Sequence, residues 1–356
     1  MSWNRSRTLG TLLVVAGSPS RLFNVAVVGA TGVVGQELLK VLAQRHFPIG
    51  SLRALASGRS AGSRLPYNGG SVEVEELTEK AFSGIDVAFF AVGSAQSLEF
   101  APAAVEAGAL VIDKSGAWRT KENVPLVVPE VNANRIGENE GIISVPNCCT
   151  IPLVMVVDQV RREAGIERVV VATYQSASGA GKDLVKELAD QTRAIAEGRE
   201  PLASVYPHQL AYNVVPGGWT PDEEDYNDEE VKLVKESRKI LEDPALRLVA
   251  TCVRVPVPVG HGEAVFLETS RPLSPDRARE LLAAAPGIAV EDDPARQVYP
   301  TPAGTAGTDE VHVGRIRRDA SVENGLALWL VSDNLRKGAA LNGVQIAEQA
   351  IQMGVI

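Results

Sequence analysis

Two stretches of the chain carry residue types able to do covalent chemistry. In Pro146-Asn147-Cys148-Cys149-Thr150-Ile151-Pro152, two adjacent thiols follow the apolar, β-branched run 141–145 and precede residues 153–160, which suit a helix. A cysteine at a strand-to-helix turn faces free backbone N–H groups and the positive end of the helix dipole, both of which favour thiolate over thiol. Pro152 suits the first helical turn, where its missing N–H costs nothing. The competing reading is that both cysteines are small buried hydrophobes. The second stretch is Arg254-Val255-Pro256-Val257-Pro258-Val259-Gly260-His261-Gly262-Glu263. An arginine in an apolar strand needs an anionic partner to offset its burial. His261 lies between two glycines that are expected to leave room for a substrate, and histidine is the side chain suited to proton transfer near neutrality. His261-Gly262-Glu263 also opens a zinc-deaminase signature, but the second half, P-C-x-x-C, is absent, and no metal is expected. Ser178-Gly179-Ala180-Gly181-Lys182 resembles part of a P-loop without its leading glycine or closing Ser/Thr.

The elements that must position these residues divide in two. A chain of 356 residues exceeds the size at which single cores stop growing, so two domains are expected. The net charge of -9 gives no footprint for nucleic acid or an anionic membrane. No apolar run reaches the ~20 residues of a membrane span. Three cysteines, two of them adjacent, make no disulfide framework and no zinc spacing, which points to a reducing, cytoplasmic setting. Arg5 and Arg7 before the apolar residues 9–16 imitate an export signal. The expectation for 1–22 is a disordered extension or an upstream start codon, with globular structure from Phe23.

Phe23-Asn24-Val25-Ala26-Val27-Val28 reads as a strand that Gly29-Ala30-Thr31-Gly32-Val33-Val34-Gly35 turns into a helix at 36–42. This is the opening of a dinucleotide-binding fold, whose glycines let the backbone approach a pyrophosphate lying on the helix N-terminus. The spacing here is G-x-x-G-x-x-G. A second strand at 52–56 ends where an acidic residue would bind the ribose hydroxyls of NAD, but the chain offers Ser57-Gly58-Arg59-Ser60. A guanidinium and two hydroxyls suit a 2′-phosphate, hence NADP. Strands at 87–92, 110–113 and 142–145, with a helix at 97–107, continue a βα alternation and a parallel sheet.

Beyond residue 150 the alternation stops. Strands are expected at 168–175, 246–257, 264–269, 311–317 and 326–331, helices at 182–197 and 228–241, and a long ordered loop at 201–225. The expected architecture is α/β: a Rossmann-type dinucleotide-binding domain (23–146) plus an α+β domain with a mixed sheet (147–334). A last helix at 338–353 is expected to pack back on the first domain, as residues 335–356.

The segments GATGVVG, SGRSAG, DKSGAWR, VPLVVPEVN, PNCCTIP, TYQSASGAGK, EEVK, RVPVPVGHGE and SDNLRKGAALN occur in this order from residue 29 to residue 342. In these motifs the chain resembles the aspartate-β-semialdehyde dehydrogenases over nearly its whole length from Phe23. The resemblance implies a glyceraldehyde-3-phosphate dehydrogenase-like fold and the NADP-dependent interconversion of aspartyl-4-phosphate and aspartate 4-semialdehyde through a cysteine thioester, a step in making lysine, threonine, methionine and isoleucine. It implies Cys148 as nucleophile, His261 as general acid/base and Gln175 as an orienting residue. Arg254 and Glu229 match the residues that hold the α-carboxylate and amino group, and Arg119, Asn147 and Lys232 match the phosphate set. Gly29 and Thr31 belong to the glycine turn, and Gly32, Val33, Val34, Ser57, Arg59, Ser60, Gly181 and Asn334 match cofactor contacts. A homodimer through the second domain is also implied, with a small-molecule substrate and inorganic phosphate as its other partners.

The chain departs from the family pattern at three places. Cys149 stands where serine is usual, Lys114 and Gly116 interrupt the usual D-N-S-S segment, and residues 1–22 have no counterpart. Three alternatives stay open on the residues. Two are phosphorylating aldehyde dehydrogenases, N-acetyl-γ-glutamyl-phosphate reductase and glyceraldehyde-3-phosphate dehydrogenase. The third is a non-catalytic NADP-sensing protein. Glu229, as an acidic partner for a free amino group, favours the aspartyl substrate.

Overall fold

The computed structural model describes residues 21–356, so all but two residues of the expected extension lie outside the described residues. The first unit runs β1 (Phe23–Val28), α1 (Val33–Gln44), β2 (Ile49–Ala56), β3 (Arg64–Tyr67), β4 (Gly70–Glu76), β5 (Val87–Phe90), α2 (Ser94–Glu106), β6 (Leu110–Asp113), the short α3 (Pro129–Asn132) and β7 (Ile142–Ser144). Its strands lie in the order β3-β4-β2-β1-β5-β6-β7 and are parallel except for the edge strand β3. The central strands are buried on both faces, as β5, Val-Ala-Phe-Phe, shows, which is why they read as continuous apolar runs. Val25 to Val28 of β1 lie at 0% exposure.

The first turn is built by close approach. Gly29 has φ +80°, a conformation that costs side-chain-bearing residues energy, and a Cβ on Gly35 would lie 2.2 Å from the carbonyl oxygen of Gly29. The turn is therefore made of backbone, with α1 seated directly on it.

The second unit contains α4 (Thr150–Ala164), β8 (Arg168–Gln175), α5 (Lys182–Ala196), α6 (Asp228–Ile240), β9 (Leu248–Arg254), β10 (His261–Glu268), α7 (Pro275–Ala283), β11 (Ile288–Val290), the short α8 (Pro302–Thr305), β12 (Val311–Asp319) and β13 (Gly325–Ser332). Its six strands follow the order β11-β12-β13-β10-β8-β9 and mix both directions, so the expected mixed sheet is present. On β10, His261, Glu263, Val265 and Leu267 point inward and are buried, whereas Phe266 is 38% exposed on the other face. The period of two thus decides which residues reach the site.

Helix α4 is apolar on nearly every side because it lies between the two units. Ile151, Leu153, Val154, Val156 and Val157 join one continuous core with β1 and β5 of the first sheet and β10 and β13 of the second. The cysteine turn is the lead-in to this central helix.

Four elements differ from the sequence expectations. The hairpin β3–β4 falls where no strands were expected. Helix α7 falls between the expected strands where no helix was singled out, and the strand expected over 246–257 is shorter, Leu248–Arg254. The last helix is not continuous: a π-turn, Arg336–Ala340, precedes α9 (Leu341–Gln352). There the chain passes so close to the nucleophile turn that a Cβ on Gly338 would lie 2.9 Å from Cys148 Cβ, and the wider π-turn accommodates that approach. Lys337 within it is 1% exposed and bonds Glu130 at 2.7 Å, fastening the segment to the first unit. Helix α9 then packs on α1 and β6.

Candidate active site

The thiol turn is held by the asparagine that precedes it. Asn147 Oδ1 accepts the Cys149 N–H at 2.8 Å, its Nδ2 donates to Glu229 Oε1 at 2.8 Å, and its own N–H donates to Glu236 Oε2 at 2.6 Å. Every polar group of Asn147 that can orient the turn is used for that purpose. Cys148 is left partly exposed, while Cys149 and Cys252 are buried.

The mixed sheet brings the other predicted residues into line. His261 lies opposite Ser332, Gln175 lies opposite Arg254, and the pairing of Gly262 with Tyr174 sets Gln175 next to His261. His261, Gln175 and Arg254 come from three different strands and form one inward-facing row under the thiol turn. The sulfurs of Cys148 and Cys149 and a ring nitrogen of His261 lie within 4.8 Å of one another.

The imidazole has a defined orientation. Ser176 N–H donates to His261 Nδ1 at 3.0 Å, with Ser176 Oγ also at 3.0 Å, and Nε2 is buried without a partner. Because a backbone N–H is only a donor, Nδ1 must accept, and the neutral ring carries its proton on Nε2. Ser176 Oγ donates on to Asn334 Oδ1 at 3.1 Å, an atom that also accepts from Ser178 Oγ and the Gly260 N–H. Asn334, matched to a cofactor contact, is thus also part of the scaffold behind His261. The glycines flanking His261 do not provide the expected room. Gly262 faces Trp329 on the opposite side of the sheet, where a Cβ would lie 2.4 Å from the indole; the space beside the imidazole is left by Gly179.

The surroundings activate one thiol. Cys148 is held well below the usual thiol range, first by the hydrogen bond from the Cys149 thiol, then by His261 and the Lys114 charge, against the opposing effect of burial. Burial pushes Cys149 up, so it remains the protonated donor of the pair. Below them, Glu263 is 1% exposed, with neither carboxyl oxygen bonded among the described residues; burial, then the Cys148 charge, raises it well above the carboxylate range.

Charged side chains line the cleft above the thiol, whose volume is roughly 520 Å³. Arg254 stacks over Trp219 at 4.8 Å and Tyr206 at 5.7 Å and donates to Ser176 O at 2.7 Å, with no carboxylate paired to it among the described residues. This leaves its fork available for an anionic ligand. Glu229 Oε1 accepts from Asn147 and, at 3.3 Å, from Gln175, and Lys232 lies 3.3 Å from its other oxygen. Arg119 is paired with buried Glu236 at 3.0 Å and donates to Lys114 O at 2.7 Å.

At the cofactor end, Val34 and the segment Ala91–Ser94 border the same cleft as Cys148. The turn holding Thr31 and Gly32 leads into Val33 and Val34 at the start of α1, and Gln36 Nε2 bonds Thr31 O at 3.0 Å. A backbone-lined turn at a helix N-terminus, with the close approach at Gly29 and Gly35, fits a dinucleotide pyrophosphate. Ser57, Arg59 and Ser60 form an exposed 3-10 turn after β2, outside the cleft around the thiol; Arg59 has no hydrogen bond or ion pair among the described residues. Gly181, with φ +97°, caps α5 on the other unit.

Sequence reasoning did not single out Glu236, Ser176 or Trp219, and treated Lys114 only as a departure. Glu236 had a signal: positions 229, 232 and 236 share one helical face. Ser176 and Trp219 had none, since their roles depend on partners 85 and 35 residues away.

Residues 24–139 match the family described as semialdehyde dehydrogenase, NAD binding domain, and residues 158–337 the semialdehyde dehydrogenase, dimerisation domain. An aspartate-semialdehyde dehydrogenase of Aquifex aeolicus is 47% identical over 338 residues, which cover 94% of this chain and 99% of that protein. The structure of aspartate semialdehyde dehydrogenase II of Vibrio cholerae complexed with ASA is 42% identical, with a TM-score of 0.91 over 94% of this chain and 99% of that one. The Candida albicans aspartate semialdehyde dehydrogenase with NADP is 25% identical, with a TM-score of 0.72 over 94% of this chain and 100% of that one.

Proposed function

The chain belongs to the aspartate-semialdehyde dehydrogenase family, and from that premise we propose how its own residues carry out the NADP-dependent reaction between aspartyl-4-phosphate and aspartate 4-semialdehyde. The observation that carries the assignment is an activated Cys148 beside the Nε2 of His261, on the floor of a cleft that also holds an unpaired Arg254.

Arg254 binds the substrate's α-carboxylate through its planar fork, and Glu229 receives the amino group. Gln175, bonded to Glu229, keeps that carboxylate and the reacting carbonyl in register. The Cys148 thiolate then attacks the acyl carbon; a C–S bond forms, the C–O bond to phosphate breaks, and phosphate leaves from the side of Arg119, Lys232 and Asn147. NADPH, bound along the Gly29–Gly35 turn with its 2′-phosphate at Ser57, Arg59 and Ser60, supplies the hydride that reduces the thioester. His261 holds the Nε2 proton at the carbonyl oxygen during this step and takes one back as the C–S bond breaks and Cys148 is released as thiolate. In the reverse direction His261 accepts the proton as the thioester forms, and phosphate cleaves it.

The proposed division of labour is cofactor binding by residues 23–146, chemistry and dimer formation by 147–334, and closure on the first unit by 335–356. The homodimer is supported by the dimerisation-domain match and by the outward apolar face of the mixed sheet, where Tyr174 and Trp329 pack at 5.4 Å beside Phe266. A cytoplasmic site of action accords with three free thiols and with the absence, among the described residues, of any helix long and apolar enough to cross a membrane.

The test is reduction of NADP by the full chain with aspartate semialdehyde, with and without inorganic phosphate. Phosphate-dependent reduction is expected; activity equally fast without phosphate, or only with N-acetylglutamyl or glyceraldehyde substrates, would overturn the proposal.

A further inference from the structure

The cations around the cleft differ in how much of their charge is already matched. Arg119 faces buried Glu236 at 3.0 Å, which accepts from it and from the Asn147 N–H. Lys232 lies 2.7 Å from Asp228 and 3.3 Å from Glu229, so that cluster carries a net negative charge. Both cations that family resemblance assigns to phosphate are therefore compensated within the chain. A dianion entering beside them alone would be opposed by three carboxylates.

Lys114 differs. It follows β6 and lines the same cleft as Cys148, Asn147, Arg119 and Lys232. Its backbone is fixed, since its N–H donates to Phe90 O at 3.0 Å and its carbonyl accepts from Arg119. Its ammonium has neither a hydrogen bond nor an ion pair among the described residues. Burial lowers its pKa, and the neighbouring Cys148 charge partly restores it. An unpaired ammonium in a desolvated cleft is costly unless a ligand anion completes it.

We infer that Lys114 completes the phosphate site, adding to Arg119, Lys232 and Asn147 the one cation of this cleft wall that has no carboxylate partner among the described residues. The charge division follows: Arg254 takes the substrate's carboxylate, and Lys114 with the phosphate set takes its phosphate. In the attack on the thioester, Lys114 Nζ donates hydrogen bonds to the phosphate oxygens, and in the reverse direction it offsets the charge of the leaving group. This inference rests on the reaction proposed above.

The experiment uses the full chain with aspartate semialdehyde, NADP and varied inorganic phosphate. In Lys114→Gln the KM for phosphate should rise roughly ten- to hundredfold, the loss expected for one charge-assisted hydrogen bond, while the KM for NADP stays close to its starting value. Lys114→Arg should recover most of the loss. As a readout without turnover, phosphate should slow iodoacetamide labelling of Cys148 in the unsubstituted chain and lose that effect in Lys114→Gln. An unchanged phosphate KM in Lys114→Gln, equal rises for phosphate and NADP, or undiminished protection of Cys148 would each overturn the inference while the reaction stands. A phosphate-independent reaction in the unsubstituted chain would overturn the reaction and this inference with it.

Discussion

The molecule contains two strand-to-helix turns that face one cleft, and they are built by opposite means. The turn from β1 into α1 is shaped by backbone: Gly29 at φ +80°, Gly35 in contact with the Gly29 carbonyl, and no side-chain cap. The turn from β7 into α4 is shaped by side chains, with Asn147 tied to Glu229 and Glu236 across 82 and 89 residues. The first takes its shape largely from its own seven residues and is seated by backbone alone, with the Gly29 and Ala30 N–H groups donating to Leu55 O. The second is correct only once α6 has docked. A cofactor phosphate can be held by generic N–H groups, whereas a thiolate must be aimed at a particular carbon, and that takes anchors from elsewhere in the fold.

The sharpest way to break the comparison is at the nucleophile. Cys148→Ala is expected to abolish hydride transfer, whereas Cys149→Ser, which keeps a donor beside Cys148, retains most of it; peptide mapping after limited iodoacetamide labelling should find Cys148. Full activity in Cys148→Ala would end the account of this turn. Glu236→Ala leaves Arg119 buried without its carboxylate and removes an anchor of Asn147, so a loss of about 3–5 kcal/mol in stability is expected from denaturant unfolding, with turnover falling more than cofactor affinity. A change below about 1 kcal/mol would place that pair among weak surface bridges.

At the backbone-built turn smaller effects are expected. Arg59→Ala should weaken NADP by roughly 1.5–3 kcal/mol and leave NAD nearly unaffected, as compared from the KM of each; parallel losses would remove Arg59 from the 2′-phosphate. Gly35→Ala should cost about 1–3 kcal/mol by overpacking against the Gly29 carbonyl and raise the KM for NADP with little effect on iodoacetamide labelling. Slower labelling there would mean the two turns are coupled.

The smallest effect concerns pH. Because Cys148 is held below the usual thiol range, it stays ionised as pH falls through the range where an ordinary thiol takes up its proton. Labelling of Cys148 should therefore persist below about pH 8.5 and decline only at more acidic pH, whereas Cys149, raised by burial, should remain unlabelled. A labelling midpoint near the ordinary thiol value would contradict the Cys149 and His261 contributions.

What the sequence by itself determined are features written at short range. The strand, glycine turn and helix from Phe23 to Gln44 follow from seven-residue spacing, and the placement of Cys148 before a helix follows from the residues on either side. The hairpin β3–β4 is also written at short range. Asn68-Gly69, with φ of 45° and 76°, is the pair a two-residue hairpin turn requires. Family motifs extended this to naming Arg254, Gln175 and His261, but not to saying why they meet. They meet because the register of β8, β9 and β10 brings residues 175, 254 and 261 into one row, a property of strand pairing that no local window contains. The tertiary structure alone also decided which charges are compensated. Arg119 finds Glu236 at 117 residues' distance, Arg254 finds the rings of Tyr206 and Trp219, and Lys114 has no hydrogen-bond or ion-pair partner among the described residues. Local spacing specifies backbone conformation because backbone hydrogen bonds and φ/ψ limits act over a few residues; the partner of a buried charge is whatever the packed elements bring within about 4 Å of it.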